Sequence, residues 1–144
     1  MIRVMIVEDD PMVASVNETY LSRLPGFCVI AKAADGLQAL EKIKALSGSV
    51  DLVLLDVFMP KMDGLSFLEH LKNLAPSVSV IMITASQNKE SLRTALAHGV
   101  ADYIIKPFTF ERFKAALLTF AERWRLLHEA EDLSLIHISE PTRP

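Results

Sequence analysis

The sequence predicts an α/β domain in which a parallel sheet of five strands is covered by helices on both faces. Three observations predict it. Five short β-rich runs, Ile2–Val7, Phe27–Ala33, Asp51–Leu55, Val78–Ile83 and Tyr103–Ile105, alternate with five segments whose apolar residues recur at helical spacing. Alternation of this kind implies βαβ crossovers, because parallel neighbours cannot be joined by a tight hairpin. Three of the runs also end in charge: Glu8-Asp9 after the first, Asp56 after the third and Lys106 after the fifth. In an open parallel sheet, ligands bind outside the carboxyl ends of the strands, so these residues stand where chemistry is expected.

The helical stripes are Val13, Val16, Tyr20 and Leu24 after the first strand, then Leu37, Leu40 and Ile43, then Leu65, Leu68 and Leu71, then Leu92 and Leu96. Phe110, Phe113, Leu117, Phe120 and Trp124 form the last and longest. Local punctuation fits these boundaries. Asp10-Pro11 reads as an N-cap followed by proline at the first helical position. Pro25-Gly26 breaks the chain before strand two, Asp35-Gly36 and Asp63-Gly64 precede helices two and three, and Gly99 closes helix four. Connections are short, and no internal repeat is visible. After Glu131-Asp132 the periodicity stops. The domain is therefore expected to occupy residues 1–132, and residues 133–144, ending Pro-Thr-Arg-Pro, read as a vector-derived tail that includes His137.

At 144 residues, 51% hydrophobic and 23% charged, the chain is long enough for one sizeable core and too short for two ordinary domains. A formal charge of −3 argues against nucleic-acid binding through bulk electrostatics. The single cysteine, Cys28, has no partner for an intramolecular disulfide and reads as a small apolar residue in a reducing compartment. Met1 leads straight into the first strand without a leader pattern, and no run has the length needed to span a bilayer. The expectation is a cytoplasmic protein with no membrane contact. His70, His98 and His128 show no metal-ligand spacing.

Clustered carboxylates repel one another unless a cation neutralises them. Hard oxygen ligands in this number suit Mg²⁺, which takes one or two carboxylates together with phosphate oxygens. An aspartate beside such an ion can attack phosphorus and become an aspartyl phosphate. A lysine then screens the transferring oxygens, and the Thr84 hydroxyl at the end of strand four can hydrogen-bond one of them.

Glu8-Asp9 before helix one, Asp56 after strand three, Thr84 after strand four and Lys106-Pro107 after strand five occur in the order found in one family. The chain resembles the receiver domain of two-component response regulators from about Met1 to Arg125. More narrowly, Asn17-Glu18-Thr19-Tyr20-Leu21, Pro25-Gly26-Phe27 and Gly99-Val100-Ala101-Asp102-Tyr103-Ile104-Ile105-Lys106-Pro107-Phe108 resemble the branch paired with citrate and C4-dicarboxylate sensor kinases. The resemblance implies a doubly wound, flavodoxin-like fold with strand order 2-1-3-4-5. It implies Asp56 as phosphoacceptor, Asp9 as a direct Mg²⁺ ligand, Glu8 as a ligand through water, and the Phe58 carbonyl as a further ligand. Thr84 and Lys106 would contact the phosphoryl oxygens, with Tyr103 as an aromatic switch that follows Thr84.

The same resemblance implies a sensor histidine kinase as donor and a homodimer through helix four, strand five and helix five. It also implies a C-terminal helix-turn-helix DNA-binding domain, which these 144 residues do not contain. The alternative is a stand-alone receiver acting by protein–protein contact. Asp10 is better explained as a cap than as a third metal ligand, although the run of three acids leaves the register open by one residue. Phe58 and Ser86, two residues past Asp56 and Thr84, are poorly suited to orient an attacking water, which predicts a long-lived aspartyl phosphate.

Two rival classes fit less well. Haloacid-dehalogenase-like phosphatases place a second aspartate two residues after the nucleophile, and here that position is Phe58. A flavodoxin-like cofactor module needs a Gly- or Ser/Thr-rich phosphate loop after strand one, where this chain has Glu8-Asp9-Asp10. The reading is therefore a switch that promotes only its own phosphoryl transfer and dephosphorylation, rather than an enzyme.

Overall fold

Runs of β-branched and large aliphatic residues too short for a helix form five strands: β1 (Ile2–Val7), β2 (Phe27–Ala33), β3 (Leu52–Leu55), β4 (Ser79–Thr84) and β5 (Asp102–Ile105). The computed structural model describes residues 1–46, 48–56, 64–85 and 89–138. All neighbouring strands are parallel and the order is β2-β1-β3-β4-β5, as the resemblance implied. Five helices follow the strands: α1 (Pro11–Ser22), α2 (Gly36–Leu46), α3 (Gly64–Leu74), α4 (Lys89–Ala97) and α5 (Phe110–Ile138). Strand bounds differ from the sequence reading by at most one residue at either end.

Alternation along the strands divides the core in two. Ile2, Val4, Ile6, Leu52, Leu54, Ile81, Ile83 and Ile104 face α1 and α5. Met5, Val7, Val53, Leu55, Val80 and Met82 face α2, α3 and α4. Each such aliphatic side chain contributes roughly 1.5–3 kcal/mol when fully buried. Phe113 of α5 and Phe67 of α3 are the largest fully buried side chains, one on each face.

Leu68 and Leu71 of α3 and Phe113, Leu117 and Phe120 of α5 are buried as their stripes predict, whereas α1, the start of α2 and α4 turn away from theirs. On α1 the buried residues are Ala14, Asn17 and Leu21, whereas Val16 is 42% exposed. Leu37 of α2 and Leu96 of α4 are exposed, while Ala39 and Ala95 are fully buried. Small side chains let a helix approach the sheet closely, and the larger apolar residues beside them turn outward. Tyr20 is half-buried between α1 and α5, edge-on to Phe108, Phe110 and Phe113. Asn17 Oδ1 has no hydrogen-bond partner among the described residues, although the residue is 2% exposed.

Asp10 caps α1 as expected: its Oδ1 accepts the Met12 N–H at 2.9 Å, with Pro11 opening the helix. Asp35 caps α2 by accepting the Gln38 N–H at 2.9 Å, and Gln38 returns the contact to the Ala34 N–H at 3.1 Å. Asp63 lies outside the described residues. Gly99, at φ +82°, ends α4 in the left-handed region that glycine reaches without strain. α5 runs 29 residues to Ile138, six residues past Asp132. Residues 133–138 contain neither proline nor glycine, and each residue added to a nucleated helix gains one backbone hydrogen bond.

One ion pair fixes the N-terminal ends of β1 and β3. Arg3 Nε and Nη2 donate to Asp51 Oδ2 and Oδ1 at 3.0 and 3.1 Å, and the Arg3 backbone N–H adds a bond to Oδ2 at 2.8 Å. Burial alone would push the Asp51 carboxyl up, but the Arg3 hydrogen bonds and charge outweigh it and hold it below its ordinary value of 3.8. A carboxyl depressed in the folded state contributes stability above its unfolded pKa and loses it as pH falls through the folded value. Asp51→Asn should therefore melt a few degrees below wild type at neutral pH. The gap should close as the pH drops below 3.8. Thermal denaturation followed by circular dichroism across this range checks it, and a gap that persists at low pH would exclude the ion pair as its source.

Candidate functional site

The strand order reverses at β1, which has β2 on one side and β3 on the other, and this reversal opens a crevice at the C-terminal ends of the strands. The register sets what lines it. Val7 pairs with Leu55, so Glu8 and Asp56 are the first residues past a matched pair of strand ends. The Asp56 N–H donates to the Val7 carbonyl at 3.0 Å and the Glu8 N–H to the Ala33 carbonyl at 3.0 Å, which holds both backbones rigidly beside the sheet. On the next strand Leu55 pairs with Met82, which puts Thr84 one residue beyond the level of Asp56. Thr84 in turn pairs with Ile105, and its carbonyl accepts the Lys106 N–H at 2.8 Å.

Carboxylate oxygens of Glu8, Asp9 and Asp56 lie within 4.8 Å of one another. Glu8 is 5% exposed and Asp56 8%, whereas Asp9 is exposed. Lys106 Nζ reaches in from the end of β5, 3.2 Å from Glu8 Oε1 and 3.6 Å from Asp56 Oδ2. The Lys106–Pro107 peptide bond is cis. Asp10 takes no part in the cluster; its backbone N–H donates to Glu8 Oε2 at 3.2 Å while its side chain caps α1. The residue register at the end of β1 is thus Glu8-Asp9 for the crevice and Asp10 for the helix.

Burial pushes the Glu8 carboxyl up to about 7, helped by the hydrogen bond and charge of Asp56 and opposed by the Asp10 N–H and the Lys106 ammonium. Glu8 thus retains a proton near neutrality despite a lysine in contact. Burial and Asp56 together outweigh that lysine, and the site favours additional positive charge. Three hard oxygen donors, one of them open to solvent, form a donor set suited to a small divalent cation. A cation there would replace the proton on Glu8, and the exposed side of Asp9 leaves room for water or an incoming anion.

Thr84 is 1% exposed at the end of β4. Tyr103 lies on β5 opposite Met82, half-buried against the α2–α4 side of the core. Phe58 and Ser86 lie outside the described residues. His70, His98 and His128 each turn Nδ1 toward the carbonyl four residues back, at 2.8 Å; His98 does so just past the end of α4, as a capping side chain does, and His70 and His128 do so within α3 and α5. One residue beside the site carries no motif and was missed by the sequence reading: Arg112 of α5, whose Nη2 donates to the Tyr103 carbonyl at 2.8 Å.

Among curated proteins, the chain is 41% identical over 140 residues to a protein of Halalkalibacterium halodurans described as a probable C4-dicarboxylate response regulator, DctR, covering 97% of this chain and 60% of that one. It is 36% identical over 134 residues to the transcriptional regulatory protein CitT of Bacillus subtilis, covering 93% and 58%. It is also 36% identical over 143 residues to the transcriptional regulatory protein DcuR of Escherichia coli, covering 95% and 60%. The chain therefore spans about three-fifths of the length of these relatives. Among solved structures, CheY in a CheX-CheY-BeF3-Mg complex from Borrelia burgdorferi is similar at a TM-score of 0.78 and 29% identity, over 83% of this chain and 88% of that one. The receiver domain of NarL from Mycobacterium tuberculosis is similar at 0.75 and 30%, over 84% and 96%. The chain belongs to the response regulator receiver domain family, which it matches over residues 4–118.

Proposed function

We propose that this chain is a phosphorylation switch in which Asp56 accepts a phosphoryl group from the phosphohistidine of a sensor kinase. The observation that carries this reading is a buried aspartate at a sheet's switch point, within 4.8 Å of two other carboxylates and 3.6 Å from a lysine. An Asp56 oxygen attacks phosphorus in line, the P–N bond to the kinase histidine breaks, and the histidine departs with the electron pair. Glu8 and Asp9, with Asp56 itself, are the residues that would hold Mg²⁺, which supplies charge screening for the phosphoryl oxygens. Lys106 moves from a contact shared between Glu8 and Asp56 to one with the phosphoryl group. Thr84 donates its hydroxyl to another phosphoryl oxygen, and Tyr103 follows it, altering the face built from α4, β5 and α5.

The switch is assigned to residues 1–132, in the cytoplasm, with the response read out as pairing of two copies through the α4–β5–α5 face. The names of the relatives and their greater length support a transcriptional output through a DNA-binding domain that follows the receiver. A stand-alone receiver is the second reading.

Asp56→Asn should abolish modification by acetyl phosphate, and EDTA should do the same for wild type; intact-mass spectrometry reads both. Uptake by the variant comparable to wild type would remove Asp56 from the centre of the mechanism. Asp9→Ala should weaken Mg²⁺ binding roughly tenfold or more in an NMR titration, while Asp10→Ala should leave it near wild type and lower thermal stability instead. Equal losses of Mg²⁺ affinity would place Asp10 in the metal shell. Thr84→Ala should accept phosphate at close to the wild-type extent and yet fail to pair on activation. Sedimentation with beryllofluoride checks this, and full dimerisation of the variant would take Thr84 out of the relay.

A further inference from the structure

β5 is an edge strand, so the outward-facing backbone groups of Tyr103 have no strand to bind. Two side chains replace it. Asp102 Oδ1 accepts the Tyr103 N–H at 2.8 Å, and Arg112 Nη2 donates to the Tyr103 carbonyl at 2.8 Å. The pair is joined at 3.6 Å between Arg112 Nη2 and Asp102 Oδ1. Arg112 is itself fixed in the first turn of α5, where its N–H donates to Thr109 Oγ1 at 3.1 Å. Its side chain wraps around the sheet edge and walls a cleft of about 360 Å³ that Tyr103, Ile105, Pro107, Phe108 and Thr109 also line.

With the Arg112 and Asp102 side chains 44% and 34% exposed, their mutual ion pair contributes little. The charge-assisted bond to the Tyr103 carbonyl is the stronger element, since it satisfies an edge carbonyl and links α5 to the residue read above as the aromatic switch. We propose that Arg112 is a positioning residue for that switch: by holding the Tyr103 peptide and walling a cleft that Tyr103 also lines, it biases Tyr103 toward the position it has in this structure, which the reading takes as the resting one. This rests on the reading of Tyr103 as the switch. Exposure makes the restraint breakable, so it sets a ratio of states rather than a lock.

The test uses 3-fluorotyrosine incorporated into the full chain. The sequence holds two tyrosines, so the fluorine NMR spectrum has two lines, and Tyr20 on α1, in contact with Phe110 and Phe113, reports any displacement of α5. Wild type with and without beryllofluoride and Mg²⁺ defines the activated and resting positions of the Tyr103 line. In Arg112→Ala the resting line should lie displaced toward the activated position, with the ratio of states changed roughly tenfold and the Tyr20 line unmoved. Arg112→Lys, which keeps the charge and can donate to the same carbonyl, should restore much of the wild-type position. A Tyr103 line in Arg112→Ala that coincides with resting wild type, moves away from the activated position, or moves together with the Tyr20 line overturns the proposal. If the Tyr103 line of wild type does not respond to beryllofluoride at all, the switch reading fails first and the role of Arg112 in it falls with it.

Discussion

The constraint on which the rest depends is the pairing of Val7 with Leu55, because it delivers two carboxylates, Glu8 and Asp56, to one buried place. Like charges within 4.8 Å repel by roughly 3 kcal/mol at an effective dielectric constant of about 20. The backbone cannot relieve this by moving apart, since Glu8 and Asp56 are each hydrogen-bonded to a neighbouring strand at the peptide preceding the side chain. Relief must come as a proton, an ammonium or a cation. Lys106 supplies the second, and Glu8 still holds a proton up to about 7. The crevice is thereby primed for a cation, and through it for an anionic group that would be repelled from three bare carboxylates. The rigid sheet thus makes the chemistry possible by preventing relaxation.

Much of this was legible in the sequence, for identifiable reasons. Strand ends are marked by an abrupt change from aliphatic to charged residues, so Glu8, Asp9, Asp56 and Lys106 could be placed at one edge of a parallel sheet. Asp10 was separable from them because a following proline marks it as a cap. The assignment of Thr84 and Tyr103 depended on the family resemblance, as a β-branched residue and an aromatic in strands carry no functional signal of their own. The faces of α1, α2 and α4 were read less well than those of α3 and α5. Periodicity favours the largest apolar residues, such as Val16, Leu37 and Leu96, yet the buried positions on these helices include Ala14, Ala39 and Ala95. Close approach selects small side chains, and a hydropathy pattern does not encode distance of approach. Asn17 illustrates the same rotation, as a polar residue carried to 2% exposure by its neighbours Ala14 and Leu21. Arg112 was illegible because its contact crosses from α5 around an edge strand, a path that no local spacing records.

The two ends of the β1–β3 pair carry opposite electrostatics. At the N-terminal end Arg3 and Asp51 are matched by three short hydrogen bonds, and the carboxyl lies below its ordinary value. At the C-terminal end burial and Asp56 push the carboxyl of Glu8 upward instead. Strand residues between them, Val4, Met5, Ile6 and Val7 on β1 and Leu52 to Leu55 on β3, are at most 1% exposed. Burial of these aliphatic side chains is large compared with the electrostatic penalty at one end, so the sheet can carry an unfavourable charge cluster without losing its register. Anything that neutralises the cluster, whether proton, metal or phosphoryl-bound cation, acts on a frame that is already fixed. In the proposed switch, the free energy released would go to the side chains at the ends of β4 and β5 rather than into assembling the site.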